Sequence, residues 1–515
     1  MESDSLTTAP GLRATIHLGA SSVSMLVVEA DATNPGEAVE FLEQPLPVAR
    51  DVFGHGRLDS ATTERAVEIL LGYLESLGEL GIGREQIVRA VASNILSEAR
   101  NNETFLNRIN IACGLDVEIL DDGEMTRLIY LKTRRRLRDT PTMRKRTTIL
   151  VHVGPGNTRV VLFKRGRINR YTSYRLGTHR THEAVEGTRA DGAVLLRVIR
   201  EHISGQLDQL RFEYEDETIE DIVVIGYEVQ LLAPFLSKPG DTRCPTKTLR
   251  SLLQEAATLS LEERVRRYQL DYHTAEAVIP ALEINLAIAE CFELKGLRIP
   301  DSDYERGLLF DLPISPSLAT GFQAEVIRSA KILAQKFKVD AKHSSHVAFL
   351  AGRLFEETRG LHRLSDHDAL LLDVASILHE CGGFISPKAH HKHSQYIIEN
   401  SEVFGLGRLD VAVVALAARY HRQSGPKSSH PAYAALSHED RIRVAKIASL
   451  LRVADALDRS HTQRVTDLSA GITRNEARLN LLGVSDATVE RLAMQSKGDV
   501  FQETFGLRIN LAEHG

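Results

Sequence analysis

One unit, a strand, a small-residue turn and a second strand, occurs twice in the chain and constrains its fold more than any other feature. Residues 13–30 read RATIH, LGASS, VSMLVVEA, and residues 147–163 read TTILVH, VGPGN, TRVVLF. Each predicts a β-hairpin, because apolar β-formers flank a turn built from Gly, Ser and Asn. His-Leu-Gly-Ala-Ser-Ser-Val and His-Val-Gly-Pro-Gly-Asn-Thr can be laid over one another, so internal duplication is the economical explanation. A chain so built is expected to make two related lobes.

The segments that follow each hairpin fit that expectation. After the first come a helical pattern in TTERAVEILLGYLESLGELG, a strand at IVRAVAS, a helix in SEARNNETFLNRINIACG closed by glycine, a strand at VEIL and a helix in EMTRLIYLKTRRRL. Such alternation predicts an α/β lobe. After the second hairpin, AVLLRVIREHISGQLDQL reads as a helix and IVVIG as a strand. DLPISPSLATG, with two prolines, marks a boundary. Helices dominate from there to about Asp467, and ARLNLLGV and GLRINLAE then alternate as in a small α+β unit. The expected domains are 1–140, 141–315, 316–467 and 468–515.

With 515 residues the chain is long enough for several cores, and 43% hydrophobic with 26% charged residues excludes a disordered protein. A formal charge of -6 neither recruits nor repels nucleic acid strongly, so nucleic acid is not an expected partner. Cys113, Cys244, Cys291 and Cys381 stand apart with no CxxC pair, which suits reduced thiols and a cytoplasmic location. The start MESDSLTTAPGLR lacks the order of a secretory signal, and no apolar run reaches spanning length, so no membrane is expected.

Turns of this composition can point successive backbone N–H groups at an anion. Gly19, Ala20, Ser21 and Ser22 form one candidate phosphate cradle, and Gly154, Gly156 and Asn157 the other. Either turn alone is an ordinary hairpin turn; two facing across a cleft would clamp a phosphate chain. A basic run from Lys132 to Arg146 could guide a polyanion, or be a solvated loop.

Histidines crowd between His343 and His461. His346, His379 with Glu380, His390, His391, His393, His421 and Asp455 are ligand types that hold divalent metals. His346 stands one helical turn before Leu350, His379 one turn beyond Ala375, His421 on the stripe of Val414 and Ala418, and Asp455 one turn beyond Leu451. On this spacing all four face a helical core. A core carboxylate at Asp455 needs a cation, a donor or water, and either a metal or a polar network with Arg452, Arg459 or a histidine would supply it.

IHLGASSVSMLVVE, AVASNILSEARNNETFLNRINIACGLDVEIL, DGEMTRLIYL, VHVGPGNTRVVLF and YERGLLFDL resemble the exopolyphosphatase and guanosine pentaphosphate phosphohydrolase (Ppx/GppA) family. The resemblance covers nearly the whole chain and implies an actin-like (ASKHA, ribonuclease H-like) two-lobed α/β half. A helical domain then follows, whose H, H[D/E], H, H, D order is similar to the HD superfamily of metal-dependent phosphohydrolases, and last a small α+β unit. It also implies a divalent metal (Mg, Mn or Fe), a polyphosphate or phosphorylated small-molecule ligand, and a homodimer.

The resemblance fails at the chemistry. Where the family carries aspartates before the turns stand His17 and His152, its glutamate after the second turn is Arg159, an expected arginine is Ser97, and its paired glutamates are Glu124 and Met125. The cleft is therefore expected to bind phosphate, Arg159 included, and any hydrolysis to occur at a metal held by His346, His379, Glu380, His391, His421 and Asp455. One alternative is an inactive polyphosphate- or (p)ppGpp-binding regulator. The other is an exopolyphosphatase acting in the interlobe cleft with Glu124 as base.

Overall fold

The computed structural model describes residues 11–30, 35–137, 145–187, 192–238, 240–300, 309 and 321–514. The side chains of Lys132 to Arg144, the boundary segment 311–320 and YERGLLFDL apart from Leu309 lie outside the described residues. The chain divides into two compact units, Met1–Ser315 and Pro316–Gly515.

The first unit contains two lobes, each built on a mixed sheet. In the first, β1 (Gly11–Leu18) and β2 (Ser22–Ala30) form the expected hairpin, with β3 (Pro35–Pro45), β4 (Ile87–Ala92) and β5 (Glu118–Ile119) added in the order β3-β2-β1-β4-β5. β1 runs antiparallel to β2 and parallel to β4, and its register sets His17 opposite Ser24. Ala14, Ile16 and Leu18 alternate into a core shared with Val23, Met25 and Val27. Among the described residues, α1 (Val48–His55), α2 (Ser60–Glu79), α3 (Asn102–Cys113) and α4 (Asp122–Leu137) pack in this lobe. α2 buries Ala66, Ile69, Leu70, Tyr73 and Leu77 along one stripe, the spacing that predicts it. α3 stops at Gly114, whose φ of 64° is the left-handed conformation glycine adopts without strain.

The second lobe repeats the plan. β6 (Thr148–Val153), β7 (Thr158–Lys164) and β8 (Arg167–Tyr174) form a meander, with β9 (Asp221–Ile225), β10 (Arg243–Pro245) and β11 (Gly296–Arg298) beyond β6 in the order β10-β11-β9-β6-β7-β8. All six residues of β6 are buried, as expected of a strand covered on both faces. His152 pairs directly with Arg159 across the hairpin, so the second copy sets an arginine where the first sets Ser24. The lobe's helices include α5 (Thr178–Glu186), α6 (Gly192–Glu213), α7 (Tyr227–Leu231), α8 (Thr246–Thr258), α9 (Leu261–Tyr268) and α10 (Tyr272–Cys291). α10 is buried along nearly its whole length.

The second unit opens with helices α11 (Phe322–Lys336), α12 (Ala341–Glu357), α13 (Asp366–Leu378), α14 (His390–Glu399), α15 (Arg408–Tyr420) and α16 (His438–Leu457). The small sheet β12 (Asp467–Ile472), β13 (Glu476–Leu482), β14 (Arg508–His514) follows, with α17 (Thr488–Lys497) and α18 (Asp499–Phe505) between its last two strands. No helix among the described residues is long and apolar enough to cross a membrane.

Candidate functional site

The two hairpin turns meet in one cleft of the first unit. It is lined by His17, Ala20, Ser21, Ser22, Ser93, Asn94, Met125, His152, Val153, Gly154, Pro155, Arg159, Tyr227 and Glu228. Each turn is closed in the same way, Gly19 N–H donating to the Ser22 carbonyl at 2.7 Å and Gly154 N–H to that of Asn157 at 3.0 Å. Pro155 contributes no N–H, so the second turn has one donor fewer than its composition suggests.

The side chains around the turns hold them still. Ser21 Oγ lies 2.9 Å from His179 Nε2, and the Ser22 hydroxyl donates to Glu43 at 2.8 Å. Burial pushes His179 down to about 4, so this imidazole is neutral. Arg180 donates to the Gly156 carbonyl at 2.9 Å and to Glu98 at 2.7 Å, and its guanidinium lies 4.4 Å over the Phe53 ring. A Cβ on Gly156 would stand 2.7 Å from that ring, so any larger residue there would have to push Phe53 aside.

Among the groups that would touch a phosphate chain, positive charge is represented by Arg159. It is 4% exposed and ion-pairs with Asp122, whose carboxylate also accepts from Asn94 at 2.8 Å. Met125 faces the cleft, whereas its neighbour Glu124 is taken up elsewhere. Arg127 reaches both Glu124 oxygens, at 2.8 and 2.6 Å, and Arg89 donates to one at 2.8 Å. Burial would raise the Glu124 carboxyl, but the two guanidiniums outweigh it and hold it below the ordinary glutamate range. Glu124 is thus a poor proton acceptor. The carboxyl lining the cleft is Glu228, raised by burial to about 7 despite the 2.7 Å hydrogen bond from Thr178. Two imidazoles, a guanidinium, a thioether and a half-ionised carboxyl do not suit Mg²⁺, which takes oxygen ligands in strict octahedral geometry.

A second constellation lies in the helical unit. It brings together His379, His421 and Asp455, as expected, but with His343 and His390 in place of His346 and His391. His343 Nδ1 lies 2.8 Å from Asp458 and its Nε2 3.6 Å from Asp455. His379 Nε2 is 4.0 Å from Asp455, and His390 Nε2 is 3.2 Å from His421 Nε2. His343, His379 and Glu380 bring ligand atoms within 4.8 Å of one another. His346 is half-buried beside Phe349, and His391 is half-buried among Arg419, Lys392 and Arg422 with its pKa at about 4, burial and these cations both acting against protonation. Asp455 is ion-paired with Lys497 from α17. Burial would raise Asp455, but Lys497 and the imidazoles hold it well below the usual carboxylate range.

Sequence reasoning missed Glu228, His343 and Lys497; it named His390 among the candidates but placed its neighbour His391 in the metal set. His343 shares a stripe with Val347, Leu350 and Leu354, a signal that could have found it. Lys497 lies 42 residues beyond Asp455, and no local pattern couples the two.

The Ppx/GppA phosphatase family model matches residues 44–314, and that of Ppx/GppA phosphatase domain III matches residues 327–496. A guanosine-5'-triphosphate,3'-diphosphate pyrophosphatase of Vibrio campbellii is 25% identical over 466 residues, 90% of this chain and 89% of that protein. One from Vibrio atlanticus is 24% identical over 460 residues, 87% of this chain and 88% of its own. Among solved structures, the Aquifex aeolicus Ppx/GppA family member is similar with a TM-score of 0.44 at 21% identity, over 58% of this chain and 97% of that one. An exopolyphosphatase from Cytophaga hutchinsonii has a TM-score of 0.49 at 13% identity, over 59% and 98%.

Proposed function

Because the chain belongs to the Ppx/GppA phosphatase family, we propose that its cleft binds a polyphosphate chain or a guanosine polyphosphate and does not hydrolyse it. The observation that carries this reading is the placing of Met125 and Arg159 at the cleft while Glu124 is clamped by Arg89 and Arg127. Phosphoryl transfer depends on positioning and electrostatics, and here Glu124 is tied to two guanidiniums, which leaves Glu228, held by Thr178, as the single carboxyl among the described residues lining the cleft. Arg159, which an incoming anion would share with Asp122, and the turn amides not used in closing the turns are suited to anion capture. The names of the Vibrio relatives support guanosine polyphosphates as the ligand class.

The test pairs equilibrium binding of polyphosphate and guanosine tetraphosphate with a phosphate-release assay across Mg²⁺ and Mn²⁺. Saturable binding that Arg159→Glu weakens, without release above a no-protein control, is the expected result. Metal-dependent release that Glu124→Gln abolishes would overturn it in favour of turnover in the cleft.

A second reading, hydrolysis at an HD-type metal site in the helical unit, is favoured by the mutual approach of His343, His379 and Glu380. It predicts metal-dependent release that His379→Ala removes and Arg159→Glu leaves intact. Homodimerisation, implied by the family resemblance, is checked by light scattering of the purified chain.

A further inference from the structure

The histidine cluster contains a cation of its own. Asp455 is buried at the centre, and its two oxygens face different partners. Oδ1 lies 3.6 Å from His343 Nε2 and 4.0 Å from His379 Nε2, while Oδ2 is bound by the Lys497 ammonium. Both imidazole nitrogens are buried with no hydrogen-bond partner, and both aim at this carboxylate. With Glu380 beside them, they compose a donor set for a borderline divalent cation.

Lys497 does not reach this site by the wandering of a surface side chain. It is 7% exposed and ends α17, where the chain turns at Gly498. The buried Arg452 of α16 fixes that corner: its Nε donates to the Lys497 carbonyl at 3.1 Å, and its Nη2 to Ser496 O at 3.2 Å and to Asp499 at 2.7 Å. Lys497 is therefore held at its backbone by Arg452 and at its tip by Asp455, one helical turn apart on the same helix. A divalent ion at Asp455 would have to displace this ammonium, which offers no lone pair while protonated and repels a second cation.

We infer that Lys497 is the resident cation of the histidine cluster, taking the place at Asp455 that a divalent metal would need and keeping the site free of transition metal in the intact chain. The inference does not depend on what the cleft binds, and it opposes the reading in which the helical unit hydrolyses phosphate through a bound metal.

The experiment compares Co²⁺ uptake by the full chain and by Lys497→Met, which nearly conserves side-chain volume and removes the charge. Equilibrium dialysis counts the metal, and the visible Co²⁺ bands report nitrogen ligation. The unsubstituted chain is expected to retain no stoichiometric Co²⁺. Lys497→Met should take up about one ion per chain, at least roughly tenfold more tightly, and lose it again in Lys497→Met/His379→Asn. Co²⁺ that survives His379→Asn belongs to the separate group of His182, Glu183 and Glu186 and is subtracted. Retention by the unsubstituted chain of one Co²⁺ that His379→Asn removes would overturn the inference. So would a folded Lys497→Met that binds no more metal than the unsubstituted chain. Lys497→Gln, which keeps a donor to Asp455, replaces the methionine variant should that one fail to fold.

Discussion

Glu228 is the carboxyl that lines the phosphate cleft. Its carboxyl is raised to about 7 by burial, against the hydrogen bond from Thr178. A carboxyl with a folded pKa above its unfolded value takes up a proton on folding, so its ionisation disfavours the native state as pH rises from the ordinary glutamate range through about 7. The same ionisation puts negative charge beside the bound anion. Polyphosphate affinity is therefore expected to fall roughly threefold to tenfold between about pH 6 and about pH 8, and Glu228→Gln to flatten the profile. Calorimetric titration at several pH values checks this, and an unchanged slope in the variant would refute it. Glu124 has the opposite sign. Its folded pKa is depressed by Arg127 and Arg89, so its contribution is present at neutral pH and is lost as pH falls below the ordinary glutamate range. Glu124→Gln leaves Arg127, 1% exposed, without its carboxylate and should cost about 3 kcal/mol in denaturant unfolding, with the acid dependence reduced. The substitutions at His17, His152 and Arg159 were legible in the sequence because each stands in a repeated motif. Glu228 was not, because the pKa of a carboxyl depends on the burial that the second lobe imposes.

At the scale of elements, the hairpins and most helices were legible because their periods are strong and their turns glycine-marked. Helix register was less so. His343 and His346 both lie within reach of the Leu350 and Leu354 stripe, and a shift of less than one turn decides which is buried; the structure buries His343. His390 and His391 open α14 side by side, and adjacent residues at a helix start are told apart only by what packs against them. The second turn depends on a glycine outside it. A Cβ on Gly177 would lie 2.3 Å from the Pro155 carbonyl oxygen and 2.5 Å from Gly156 Cα, both backbone atoms that can retreat only by moving the turn. Gly177→Ala should therefore destabilise the chain by about 1–3 kcal/mol and weaken phosphate binding. Gly187→Ala, which meets nothing within 4 Å, is the control. Thermal melts and titrations of the two variants separate a displaced turn from a general effect of adding a methyl group.

At the scale of the molecule, the division into residues 1–315 and 316–515 separates two chemistries. Every residue lining the cleft belongs to the first unit, and Leu309 is tied into it by the 3.3 Å hydrogen bond that its carbonyl accepts from Thr15. The histidine cluster, Lys497 and Arg452 all belong to the second, whose small sheet and α17 supply the cation for a carboxylate on α16. This dependence of the helical bundle on the last unit was not legible in a sequence where residues 316–467 and 468–515 read as separate domains, because a long-range ion pair leaves no periodic trace. Fragments 1–315 and 316–515 are accordingly expected to unfold cooperatively when expressed separately. Fragment 316–467 should fail to, because Asp455 would be left buried without its ammonium, a loss of the order of 3–5 kcal/mol against a typical domain stability of about 5–15 kcal/mol. Asp455→Asn in that shortened fragment removes the unpaired charge and should restore part of the transition. Calorimetry of the four fragments decides the matter. A cooperative, native-like melt of 316–467 with Asp455 intact would mean that the bundle stands without Lys497.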